Sequence, residues 1–165
     1  MVRVVKKVIS ILSLAIVLTL ICTGCEEEKK VVKESNYNVL HCTRKSTTQD
    51  NLTTSLKYSI YYDNLYVTKT VSVEKVTSTS DDLLEKYKTA YENVFANYKG
   101  IPYYNNTVEK VGDTVTSTTI IDYEHLDYKK ILEIEGEDGN IFESDGKVKK
   151  KTLVSLYKKY GAKCE

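Results

Sequence analysis

A chain of 165 residues accommodates one folded domain and an N-terminal segment, since a single core ordinarily serves about 100 to 200 residues. Its 24 basic and 23 acidic residues nearly cancel, and three of the bases (Arg3, Lys6 and Lys7) lie ahead of Cys25; without them 21 basic residues face 23 acidic ones. That balance excludes the basic footprint by which proteins hold nucleic acid. Fourteen tyrosines, two phenylalanines and no tryptophan are scattered among lysines and asparagines, as in an AT-rich coding bias. Tyr suits half-buried strands, so these rings are expected to pack rather than to form an aromatic binding surface.

The first 24 residues have the layout of an export signal. Met1 to Lys7 is a short basic run, and Val8 to Cys22 is an apolar stretch of 15 residues. A spanning helix needs about 20 apolar residues, so the stretch is short for a permanent anchor. It ends in Thr23, Gly24 and Cys25, small residues before a cysteine. The segment resembles the lipobox of bacterial lipoproteins, which implies that the Cys25 thiol receives diacylglycerol, that cleavage precedes it, and that residues 1–24 leave. One departure is Cys22, where the lipobox pattern has Leu, Val or Ile. Residues 25–37 (lipidated Cys25, then Glu26 to Tyr37) are charged and aperiodic. They read as a solvated tether of roughly 20 Å. The implied location is the outer face of the cell membrane, held by a two-chain lipid anchor.

Residues 38–165 are expected to fold as one domain. Val39 to Thr47 reads as a strand, with a turn at Gln49, Asp50 and Asn51. In Leu52 to Tyr62, positions Leu52, Thr54, Leu56, Tyr58, Ile60 and Tyr62 alternate with Thr53, Ser55, Lys57 and Ser59, the period of a strand with one wet face. Asp63 and Asn64 then turn into Leu65 to Val76, where Val67, Val71 and Val73 are expected to continue the apolar face. A helix starts near Thr79 or Ser80, with Asp81 and Asp82 in its first turn. Leu84, Tyr87, Tyr91, Val94, Phe95 and Tyr98 make its buried stripe, and Gly100 and Pro102 stop it. A hairpin follows: Tyr103 to Val111, a turn at Gly112 and Asp113, and Thr114 to Tyr123. A weak helical turn over Leu126 to Ile134, an acidic loop from Glu135 to Gly146 and a helix over about Lys149 to Tyr160 complete the chain.

These elements predict an α+β domain, an antiparallel sheet of about five strands with two main helices on one face. The run Tyr98-Lys99-Gly100-Ile101-Pro102-Tyr103, then Val115 to Tyr123 with Asp127-Tyr128, and the ending Leu156 to Ala162 resemble the small YehR-type lipoproteins. That resemblance covers most of Asn38 to Cys164, implies fold and location, and brings no catalytic residues with it.

Chemistry-bearing patterns are sparse. His41 and His125 are isolated, and residues 38–165 hold no CxxC or HxxxH spacing, so neither a metal nor another cofactor is expected. The glycine-punctuated Glu135 to Asn140 lacks the ligand ladder of a calcium loop. No GxSxG, P-loop or Rossmann glycine pattern occurs. Asn51-Leu52-Thr53 and Asn105-Asn106-Thr107 match glycosylation sequons, which a bacterial lipobox makes irrelevant. Asp122, His125 and Asp127 are the one place where two carboxylates and a histidine gather in sequence. The first functional reading is a non-catalytic binding module, presenting its sheet face or the hairpin tip near Gly112 to an envelope protein, glycan or small ligand. The competing one is an envelope hydrolase using Asp122, His125 and Asp127. With Cys25 acylated, Cys42 and Cys164 are the cysteines left in the mature chain. In an exported compartment an even pair reads as a disulfide joining the first strand to the C-terminus, the alternative being two buried free thiols.

Overall fold

The computed structural model describes residues 37–47, 52–136 and 140–165. The expected signal segment, Cys25, the tether up to residue 36, the turn at Gln49 to Asn51 and the loop at Glu137 to Gly139 lie outside these residues. Strands β1 (Asn38–Thr47), β2 (Thr53–Asp63) and β3 (Tyr66–Thr77) form a meander, followed by helix α1 (Asp81–Ala96) and the hairpin β4 (Tyr104–Val111) and β5 (Thr114–Asp122). Then come α2 (Tyr128–Glu135), β6 (Val148–Lys149), α3 (Lys150–Lys159) and β7 (Lys163–Cys164). All pairings are antiparallel. The sheet runs β4-β5-β3-β2-β1-β7, with β6 pairing the start of β3 beyond the reach of β5.

The α+β class is therefore as expected, and the described residues hold seven strands and three helices where about five strands and two main helices were expected. The additions are β6 and β7, two residues each and too short to carry a period; the weak helical turn expected over Leu126 to Ile134 is α2, a helix of eight residues. Asn64 takes φ 51° in the β2–β3 turn and Gly112 φ 57° in the β4–β5 turn. Both belong to the left-handed region that tight hairpin turns require.

Register assigns the faces, because directly paired residues point the same way. Ile60 pairs with Leu40 and Thr70, and Leu56 with Arg44 and Glu74. This is the face that the helices cover. Val71 and Val73 pair with Ser59 and Lys57, on the opposite face, which corrects the expectation that they extend the apolar stripe of Val67. The cause is a bulge: Tyr61 pairs with Lys69 but Tyr62 with Val67, leaving Thr68 as the extra residue. Val67 keeps phase with the core and everything after it is displaced by one position. Thr70 is buried instead.

Two buried clusters hold the helices to the sheet. Leu84 of α1 packs with Leu52, Val76 and Val115. Leu153 of α3 packs with Cys42, Ile60, Val67, Val148 and Ala162, and the Tyr58 and Tyr157 rings stack at 3.7 Å. Ser80 caps α1 by accepting from the Leu83 amide, and Lys110 of β4 reaches Asp81 at 2.6 Å and Glu85 at 2.7 Å. Val94 corrects the expected stripe. It stands about 100° around the helix from Phe95 and is 61% exposed.

At the other edge, His41 and Glu165 exchange both backbone hydrogen bonds, at 3.0 and 2.9 Å. The next pair, Cys42 and Cys164, is then of the close, non-hydrogen-bonded kind. Its Cα atoms are 3.9 Å apart and its sulfurs are joined in a disulfide. The bridge expected from the cysteine inventory is present, and it pins both ends of the domain together.

Candidate functional site

The loop from β5 to α2 carries the three residues of the hydrolase reading, and the structure brings two of them together. Asp122 closes β5, accepting from the Glu124 amide at 3.0 Å through one oxygen and from His125 Nδ1 at 2.9 Å through the other. The Tyr103 ring stacks on the imidazole at 5.0 Å, from a backbone at φ 67° that side chains seldom adopt. Asp127 stands apart. It precedes α2 without capping it, and its nearest cation is Lys130 at 3.9 Å. The Asp122–His125 pair orients Nε2 as a base would need. The imidazole is exposed, and among the described residues no hydroxyl or thiol bonds to Nε2.

The remaining sequence candidates have local roles. His41 meets Ser59 at 3.1 Å on the face away from the helices. Asn140 accepts from the Phe142 amide at 2.7 Å, a turn contact within the acidic loop. Asn105 is exposed on the edge strand β4. Among the described residues no three His, Cys, Asp or Glu side chains gather as metal ligands, and no helix is long and apolar enough to cross a membrane.

Sequence reasoning missed a cleft of about 590 Å³ beside that loop, within the range that small ligands occupy. Three segments distant in the chain build it: the β2–β3 turn with the bulge, the loop following β5, and the turn before β6. Backbone bonds stitch them together, Tyr123 donating to Thr68 and Lys150 to Leu65, each at 2.8 Å. Tyr66, Tyr123 and Tyr128 supply aromatic walls, and Asp63, Glu124 and Asp145 carry its negative charge. Gly146 lies flat under the Tyr128 ring at φ 82°. A Cβ there would stand 2.5 Å from the ring, so only glycine allows this approach.

The electrostatics are simple. Burial pushes the Tyr123 hydroxyl up to about 12, so it stays neutral near pH 7. Lys147 reaches Asp145 at 2.8 Å; that hydrogen bond holds the carboxyl below the usual carboxylate range and raises the lysine. Both remain charged at neutral pH.

Thr68, the bulge residue, also lines the cleft. It is 5% exposed and its hydroxyl has no hydrogen-bond partner among the described residues. A buried unpaired hydroxyl costs about 1 to 3 kcal/mol. Thr68→Val is therefore expected to raise the unfolding free energy by about 1 kcal/mol, read by urea denaturation. A loss of stability would mean that the hydroxyl is engaged after all.

No model of a known protein family matches the chain, and no curated protein matches it. Two solved structures are similar. The NMR structure of a protein from Streptococcus pneumoniae TIGR4 aligns at 17% identity and a TM-score of 0.47, covering 79% of this chain and 87% of that one. The NMR structure of the YehR protein of E. coli aligns at 17% identity with a TM-score of 0.56, covering 79% of this chain and 93% of that one. The described domain is thus similar in fold to E. coli YehR, and its chemistry rests on its own residues.

Proposed function

We propose that the chain is a lipid-anchored binding module on the outer face of the cell membrane, non-catalytic, holding a small ligand in the cleft between the β2–β3 turn and the β5–α2 loop. The observation that carries the ligand part is an aromatic cleft of ligand size, walled by Tyr66, Tyr123 and Tyr128, with Tyr128 seated on Gly146. The anchor part rests on the sequence: a basic start, a short apolar stretch, and small residues before Cys25. Cys25→Ala is expected to abolish lipidation and signal cleavage, leaving a heavier, unprocessed chain by intact mass. A mutant recovered with membranes at the processed mass would contradict the anchor.

The ligand part is tested by a thermal-shift screen of small fragments against the full chain and its Tyr128→Ala variant. Hits lost in the variant support the cleft, and hits that ignore the variant count against it. The hydrolase reading retains one favourable observation, the Asp122–His125 contact. It gains ground only if p-nitrophenyl ester, phosphate or glycoside turnover appears in the wild type and vanishes in His125→Ala.

A further inference from the structure

We propose that the cleft selects an organic cation, an ammonium on a small apolar body; this rests on the cleft being the binding site. The first argument is charge. Asp63, Glu124 and Asp145 line the cleft against one cation, Lys147, and Lys147 is already paired with Asp145. Among the described residues the other two carboxylates have neutral partners: Asp63 accepts from the Asn64 side-chain amide and Glu124 from the Tyr37 hydroxyl, each at 3.0 Å. An anion entering here meets like charge, and a neutral ligand leaves both carboxylates without a counter-ion.

The second argument is the wall. Aromatic faces attract ammonium groups within about 6 Å of the ring centroid. The cleft already shows this geometry internally, with Lys147 Nζ 5.3 Å from the centroid of Tyr66.

The test is calorimetric titration of the full chain in nonionic detergent at pH 7 with benzylamine, benzyltrimethylammonium, benzyl alcohol and benzoate. Benzylamine is expected to bind about tenfold tighter than benzyl alcohol, and benzoate not measurably. Glu124→Gln weakens benzylamine and benzyltrimethylammonium about fivefold and leaves benzyl alcohol unchanged. Benzyl alcohol or benzoate binding as tightly as benzylamine, in a manner lost with Tyr128→Ala, overturns the cation while keeping the cleft as a binding site. Benzylamine binding that survives Tyr128→Ala and Glu124→Gln, or no heat from any probe, overturns both.

Discussion

Replacing Cys42 and Cys164 together by alanine is expected to lower the unfolding free energy by up to about 5 kcal/mol. The two cysteines are 122 residues apart in sequence, and in the chain-entropy account the loss grows with the logarithm of the loop that the bridge closes. The structure gives the bridge further work. Strand β7 has two residues, and little besides its pairing with β1 and the Glu165–His41 bonds fixes the C-terminus. Without the bridge that edge is free to fray, and Ala162, which belongs to the α3 cluster, loses its cover. Urea denaturation of oxidised, reduced and doubly substituted protein measures the effect. Losses well below about 1 kcal/mol in both reduced and substituted forms would show that the bridge constrains little.

The second large effect concerns the two buried clusters. Leu84→Ala and Leu153→Ala each remove a side chain at least 98% buried, with relative exposures of 1% and 2%. Each is expected to cost about 2 to 5 kcal/mol, through lost burial and the cavity left behind. The clusters share no residue, so the double variant is expected to equal the sum of the singles within about 0.5 kcal/mol, provided it still folds. A lower denaturant concentration range or added osmolyte keeps the double variant measurable. Strong coupling between the two would mean that the sheet transmits strain from one helix to the other.

The long elements were legible because each carries a local signal. The alternation from Leu52 to Tyr62, the Ser80 cap and the Gly112-Asp113 turn are each decided within a few residues, and the structure places all of them within a residue or two of the expectation. The disulfide was legible from the cysteine number together with the expectation of export. The bulge at Thr68 was not, since it depends on how β2 and β3 slide against each other; without it Val71 and Val73 read naturally as core. Strands β6 and β7 exist only through their partners. The site was half legible. Asp122 and His125 lie three apart on one loop and do meet, whereas the cleft assembles from residues near positions 63–68, 123–128 and 145–147, and no window of sequence shows that convergence. The one clue was Gly146, whose role appears only once Tyr128 is seen lying over it.

The cleft as binding site is the central claim, and amide chemical-shift mapping of the isotope-labelled full chain tests it most directly. Titrated with a mixture of small amines, alcohols and carboxylates, the amides of Leu65 to Thr68, Tyr123 to Tyr128 and Gly146 to Lys147 are expected to shift together, while Gly112 at the hairpin tip and Lys57, Val71 and Val73 on the opposite sheet face stay in place. Shifts confined to that sheet face or to the hairpin tip, with the cleft amides unmoved, would contradict it.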